Sequence, residues 1–392
     1  MNPVSHYTQS VFGRYASNRL LSLDVLRGLA VVAMIVVNTP GDWGHVYAPL
    51  LHASWNGWTP TDVIFPAFLF IMGMSIVASG LDTKTPDLKL YASIASRALK
   101  LFGLGLLIAV FYYPFGQEGF NWWESQVEEI RIMGVLQRIA LVYIFCTVIV
   151  LNSKPLSWLV SAAALCAAYW AMMMLAPYSV LGVDMAGTLA HGNSFAAFID
   201  DFFLGREHVY FDLIVPFAYD PEGLLSTLSA TSTALLGAVC AKFFINKEAS
   251  SIFWVALSGI VLFVLGDFLS EQIPINKTLW TPSFVLVTAG VSLVITAAFM
   301  LILDQLEVRG WSAPLVVCGT NAIAIYVLAA LLSRLLIMIP VADTSLQGWL
   351  YSTLFQPAFG DKPGSLAFAL VFLVVCYLPI HAMYKRGIFL KV

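Results

Sequence analysis

The stretch TPSFVLVTAGVSLVITAAFMLIL, residues 281–303, runs without one charged residue. An α-helix rises 1.5 Å per residue and needs about 20 apolar residues to cross the hydrocarbon core. This stretch therefore reads as a transmembrane helix. Outward from it, comparable runs recur at 20–38, 61–80, 91–112, 132–151, 157–175, 224–245, 251–269, 313–338 and 365–384, making ten candidate spans. The whole 392-residue chain is 59% hydrophobic and only 11% charged. Soluble domains carry roughly a quarter of their residues as charges, so a soluble enzyme and a disordered chain are both excluded. A β-barrel would show short alternating segments instead of continuous runs. The expected fold is all-α, a polytopic membrane helical bundle formed by a single domain over 1–392.

Orientation follows from the cations. With the N-terminus cytoplasmic, Arg14, Arg19, Arg27, Lys84, Lys89, Arg97, Lys100, Lys154, Lys242, Lys247, Arg309, Lys385, Arg386 and Lys391 fall on or near that side. Acids dominate the opposite loops, among them Glu118, Glu124, Glu128, Glu129, Asp184, Asp200, Asp201, Glu207, Asp212, Asp220 and Glu222. An even number of spans returns the C-terminus to the cytoplasm, as expected of a multi-pass protein of the inner (cytoplasmic) membrane. The first 18 residues lack the apolar core of a cleavable leader, so the first span is expected to serve as the insertion signal. The net charge of −3 shows no basic surface for nucleic acid. Five cysteines lie inside apolar runs without a CxxC pair, which points to small buried side chains and to neither metal nor disulfides.

Two outer segments, about 39–60 and 176–223, are longer than ordinary connections and rich in aromatic residues, so they are expected to pack over the outer mouth. The first carries His52, Trp55 and Asn56, and Asp62 follows at the start of the second span. Imidazole transfers protons near neutral pH, and a carboxylate such as Asp62 could fix its tautomer. The alternative is that His52 and Asp62 merely cap a helix. Ionisable groups within spans are expensive and usually purposeful. Asp24 and Arg27 share a helix face and could pair. Gln137 and Arg138 sit in the fourth span, and Asp267 and Arg334 are expected to pair between helices. Asp220-Pro221-Glu222-Gly223 reads as a helix start, with Asp220 as N-cap and Pro221 at the first helical position. His45, His191 and His208 share no ligand spacing and read as solvated loop residues. No Walker loop, GxSxG or Rossmann glycine pattern is present in a suitable context. No pair of matching interrupted helices suggests a transporter.

Several motifs, in order, resemble the family of heparan-α-glucosaminide N-acetyltransferase and its bacterial relatives. They are Ser22-Leu23-Asp24-Val25-Leu26-Arg27-Gly28, His52-Ala53-Ser54-Trp55-Asn56-Gly57 with Asp62 and Phe65-Pro66, Gly134 to Ile139, Asp220 to Leu224, Pro274 to Trp280, and Gly319-Thr320-Asn321. The resemblance implies a membrane enzyme that moves an acetyl group from cytosolic acetyl-CoA to an amino sugar across the bilayer. It assigns the active histidine to His52 and an accompanying asparagine to Asn38. Asp62 would orient the imidazole, and Asn38 could donate to the developing oxyanion. CoA phosphates would meet Arg27, Arg97, Lys100 or Arg138 near the inner mouth, while Gln137 could line the donor channel and Asn321 could hydrogen-bond a neighbouring helix or line that channel. Asp24, Trp55, Asn56, Asp220, Glu222, Asn276, Lys277 and Trp280 are candidates for the acceptor, with the Trp280 ring against a sugar face or anchored at the interface. A homodimer is compatible with the resemblance. The rival readings are an N-acetylglucosamine transporter and an acyltransferase for an envelope polysaccharide.

Overall fold

The computed structural model describes residues 3–15, 20–244 and 249–390, so Arg19, Lys247 and Lys391 lie outside the described residues. A short helix α1 (Pro3–Phe12) precedes α2 (Leu21–Asn38), α3 (Pro60–Ala78), α4 (Leu88–Val110), α5 (Val135–Asn152) and α6 (Pro155–Leu175). Then follow α7 (Phe195–Leu204), α8 (Ser226–Phe244), α9 (Ala249–Leu269), α10 (Pro282–Phe299), α11 (Ala313–Thr320) and α12 (Ala322–Met338). The short α13 (Leu346–Leu350) and α14 (Gln356–Phe359) lead into α15 (Asp361–Lys385). Three two-stranded hairpins interrupt an otherwise helical chain, pairing Tyr178–Val180 with Val183–Met185, Leu189–Ala190 with Asn193–Ser194, and Pro340–Val341 with Thr344–Ser345.

Among the described residues, eight helices are long and apolar enough to cross a membrane, and up to nine if a bent pair is one span. That pair is α11 and α12, which meet at 75°. The continuous helix expected over 313–338 is thus broken at Asn321, whose backbone leaves the helical region between the two pieces. The helix expected over 224–245 exists as α8, yet it is not among the eight. Its first eight residues include Ser226, Thr227, Ser229, Thr231, Ser232 and Thr233, all buried. Their hydroxyls are satisfied inside protein: Ser232 donates to Ala162 O (2.8 Å), Ser229 to Trp280 O (2.6 Å) and Thr231 to Thr227 O (2.8 Å). Buried hydroxyls without such partners would cost roughly 1–3 kcal/mol each. Polar α8 is therefore at home between α3, α5 and α6. By contrast α4, α6, α9 and α15 turn most of their apolar side chains outward, as lipid-facing helices do.

Close helix contact fixes the inner part of α2. A Cβ on Gly28 would fall 1.9 Å from Leu315 O, and one on Gly319 would fall 1.9 Å from Asp24 O. The two glycines let α2 and α11 meet backbone to backbone and thereby set the position of Arg27.

Several local expectations are corrected. Asp220 and Pro221 do not begin a helix; residues 220–225 form turns and α8 starts at Ser226. Asp267 is exposed on α9, and neither it nor Arg334 forms an ion pair among the described residues. His208 is not simply solvated, since its Nδ1 bonds Ile130 O at 2.9 Å, and His45 pairs with Asp42 at 2.7 Å. The segment 176–223 is structured by two hairpins and α7. All five cysteines are free.

Candidate active site

The first turn of α3 builds the site. Thr59 and Asp62 form a reciprocal capping box, and Pro60 occupies the first turn, where its missing N–H costs nothing. Asp62 Oδ2 accepts the N–H groups of Ala53 and Thr59, each at 3.0 Å. The other oxygen, Oδ1, lies 2.6 Å from His52 Nδ1. An acceptor there assigns the imidazole proton to Nδ1 and leaves Nε2 as the basic nitrogen. The side chain of Asp62 is 1% exposed and that of His52 49%, so a buried carboxylate steers an accessible ring. Capping and orienting are one arrangement: the same carboxylate does both.

Lys277 completes the cluster. Its Nζ is 3.0 and 3.3 Å from the two ring nitrogens of His52 and 3.5 Å from Asp62 Oδ1. Burial lowers the Lys277 ammonium from the ordinary lysine range, against the opposing pull of Asp62 and Glu222. The loop carrying it is zipped to the His52 loop. Asn276 Nδ2 donates to Trp55 O (3.0 Å) and Asn56 Oδ1 (3.2 Å), while Gly57 N–H donates to Ile275 O (2.7 Å). Fully buried Asn276 also accepts Leu279 N–H at 2.8 Å. It is a loop brace and presents nothing to a sugar. Trp280, 1% exposed, packs on Phe65 and Phe284 and donates to Thr233 Oγ1 at 3.2 Å. Neither sugar stacking nor interface anchoring is open to a ring so buried. Trp55 donates to Leu189 O at 3.0 Å, and its ring lies 4.8 Å from the exposed His191.

Beside this cluster, Arg131 grips Asp220 with two 2.8 Å bonds and Glu222 with one of 2.7 Å. Its guanidinium lies 4.8 Å from the Tyr210 ring centroid. Burial pushes the Glu222 carboxyl up, but Arg131, Arg138 and Lys277 outweigh it and hold the group below its usual range. Asp200 accepts N–H groups of Asp220 (3.2 Å) and Leu224 (2.9 Å), yet burial still pushes its carboxyl up to about 7. Asp220 and Glu222 are thus consumed by Arg131, and the acid turn braces the start of α8. Arg138 is wholly buried, donates to Gly223 O (3.1 Å) and Ser226 Oγ, and lies 5.0 Å from the Trp280 ring centroid. It does not reach the inner mouth expected of a phosphate ligand.

Two cavities lie along the bundle. The larger, about 610 Å³, is lined by Asn38, Arg131, Gln137, Tyr326 and Arg334 among others. The smaller, about 280 Å³, is lined by Arg27, Ser75, Arg97, Tyr143 and Thr320. Leu136 of α5 borders the first and Ile139 the second, as do Tyr326 and Ile323 of α12, so the cavities follow one another end to end. Arg27 donates to Asp24 (2.8 Å) and Ser75 Oγ (2.6 Å), and Arg97 lies 4.9 Å from the Tyr143 ring centroid. Asp24 therefore stands about 20 Å along α2 from Asn38 and away from His52, which corrects its place as an acceptor ligand. Lys100 is exposed and lines neither cavity. Gln137 lines the larger cavity and not the one with Arg27. Asn321 is buried and fastens the chain end, donating to Ile388 O (3.2 Å) and accepting Leu390 N–H (3.1 Å). Asn38 faces the larger cavity and makes no hydrogen bond to His52. No group of three metal-ligating side chains occurs among the described residues. Arg131 and Asp200 were the residues hardest to foresee, because their partners lie some 20–90 positions away in sequence.

Comparison with known proteins identifies relatives of the chain. A family model described as "Heparan-alpha-glucosaminide N-acetyltransferase, catalytic" matches residues 19–193. The mouse (Mus musculus) heparan-alpha-glucosaminide N-acetyltransferase is 30% identical over 377 residues, covering 83% of this chain and 55% of the relative. The human (Homo sapiens) protein of that name is 28% identical over 359 residues, covering 79% and 52%. The chain spans about half the length of these curated relatives. The segment that carries α2, the His52 loop and the Asp62 cap thus belongs to the heparan-alpha-glucosaminide N-acetyltransferase catalytic family.

Proposed function

We propose that the chain is an acetyl-CoA-dependent transmembrane acetyltransferase that acts on the amine of a glucosamine-type sugar at the outer face, in the inner membrane, with both termini cytoplasmic. The observation that carries this reading is the His52–Asp62 pair, with Nε2 free of the carboxylate, set on a bundle threaded by two successive cavities. Arg27 and Arg97 supply planar cations for the phosphates of CoA. The long, mostly unbranched pantetheine arm then runs between α5 and α12 toward Asn38, and only the acetyl group is exchanged at the far side. The donor need not cross.

The acceptor amine attacks the thioester carbonyl only as its N–H proton is removed, and in this reading His52 Nε2 takes it. Asp62 keeps the ring in the required tautomer and stabilises the imidazolium that forms. Attack by Nε2 itself, giving an acyl-imidazole, uses the same nitrogen. Asn38, on the cavity wall, offers an amide N–H to the oxyanion. The proton on His52 leaves with the CoA thiolate, and the site is restored. The test is CoA release by the purified full chain with acetyl-CoA and glucosamine. Removing a general base costs about 10²–10⁴ in rate, so His52→Ala should abolish release above background. Equal release from the variant would overturn the assignment.

A further inference from the structure

A lysine amine stands over the imidazole of His52. Lys277 Nζ is 3.0 Å from Nδ1 and 3.3 Å from Nε2. An atom so close to both nitrogens cannot lie in the ring plane without overlapping the ring carbons. Nζ therefore faces the ring and leaves the in-plane lone pair of Nε2 open. Its loop is held in place: Asn276 bonds Trp55 O, Asn56 Oδ1 and Leu279 N–H, and Trp280 N–H donates to Lys277 O at 3.1 Å. The Lys277 side chain is only 23% exposed. Burial, helped by Arg138, lowers its ammonium against the opposing pull of Asp62 and Glu222. The neutral amine, the form of lysine that attacks a carbonyl carbon, is thereby favoured.

An acetyl group on Nε2 is held near the imidazole plane by conjugation and is attacked from above or below that plane, where Nζ stands. With a C–N bond of about 1.4 Å, the acetyl carbon falls within about 2–5 Å of Nζ, a range that contains the roughly 3–3.5 Å of a near-attack pair. We propose that Lys277 is a self-acetylation site, which takes the acetyl group at His52 when no amino sugar is bound and thereby halts turnover. The proposal rests on the acetyltransferase reading above and adds a regulation to its site. The Nζ lone pair forms the amide bond. The acetyl–sulfur bond, or the acetyl–Nε2 bond once the group rests on His52, breaks with its electron pair going to the leaving atom. The Nζ proton passes by Nε2 to the CoA thiolate, so the products are acetylated Lys277 and CoA thiol. Acetylation removes the cation that lies 3.5 Å from Asp62 Oδ1 and sets a bulkier amide against the ring. A sugar amine competes for the same acetyl group and protects the enzyme.

The experiment incubates the detergent-solubilised full chain with acetyl-CoA deuterated in its acetyl group, without sugar, and maps the label by peptide mass spectrometry. Pre-organised transfer predicts label on Lys277 at least about tenfold above that on exposed Lys84, Lys100 and Lys154. Glucosamine should suppress this excess, and both His52→Ala and the heat-unfolded parent chain should lack it. CoA release on later addition of glucosamine should fall in step with the label in the parent, while Lys277→Arg keeps the rate it had before incubation. No excess label on Lys277 would overturn the proposal. So would equal label in His52→Ala, or a Lys277→Arg variant that loses activity at the parent's pace. CoA release with glucosamine but no label leaves the acetyltransferase reading standing and the proposal refuted. Label without sugar-dependent CoA release does the reverse.

Discussion

Replacing Asp62 by asparagine separates the two duties of one side chain. In the parent, Oδ2 accepts two backbone N–H groups and Oδ1 accepts the imidazole N–H. Asparagine keeps one oxygen, and the two backbone donors compete for it best. The amide NH₂ is then turned toward His52 Nδ1, where a donor can be met only by an acceptor, so the ring proton moves to Nε2. The basic nitrogen is lost while the helix cap stays. Inverting a catalytic imidazole in this way has cost about 10⁴ in rate in a serine protease, and general-base losses span about 10²–10⁴. The expected loss is therefore about 2.7–5.5 kcal/mol of transition-state stabilisation at 1.36 kcal/mol per decade. Stability should fall much less, by about 1 kcal/mol. Asp62→Ala removes the cap as well and should lower the melting temperature further, by an amount equivalent to about 0.5–2 kcal/mol. The assay is CoA-thiol release with acetyl-CoA and an amino sugar, paired with thermal unfolding in the same detergent. Activity of Asp62→Asn within tenfold of the parent would refute the tautomer argument. Equal melting temperatures for the asparagine and alanine variants would refute the capping half.

Trp280→Ala should destabilise the protein by about 3–5 kcal/mol, as expected for emptying a buried Trp site, while thermal shift scans show its acceptor-induced stabilisation retained; loss of sugar binding with unchanged melting would mean that the ring is reached by ligand. Arg27→Gln should raise KM for acetyl-CoA about tenfold or more, whereas Lys100→Gln leaves it as it was; equal effects would place the phosphates elsewhere. Asp200 predicts a pH effect. Between the ordinary carboxyl value and about 7, the folded chain holds a proton that the unfolded chain has lost. Stability should then decline as pH rises through that window and level off above it. Melting scans of Asp200→Asn should lose this decline, and an identical slope in the variant would exclude Asp200 as its source.

The helical membrane bundle was legible because residues such as 281–303 satisfy a length and apolarity rule set by the bilayer. The His52–Asp62 pair was legible because a cap and its histidine lie ten residues apart on one local turn. What stayed hidden depended on partners distant in sequence. Nothing local shows that Arg138 is enclosed beneath Trp280, or that Asp220 and Glu222 answer Arg131 and not a sugar. Trp and Lys at 277–280 resemble an interface anchor, yet their loop folds inward and brings only Lys277 to the imidazole. Asn321, an amide in an apolar run, suits a structural bond or a channel wall equally in sequence; its bonds are structural and run to the last described residues, Ile388 and Leu390. Arg334 was expected to find a carboxylate on a neighbouring helix, and its surroundings are a cavity wall.

The hydroxyl-rich first half of α8 has a consequence for how the protein is made. A segment whose side chains are answered by Ala162 and Trp280 of other elements is poorly received by hydrocarbon alone. Its lodging is the gap between neighbours synthesised both before and after it, so its final placement must await Trp280. Biogenesis of this bundle is then a matter of gathering, in which a reluctant passenger is accepted only once its hosts have assembled.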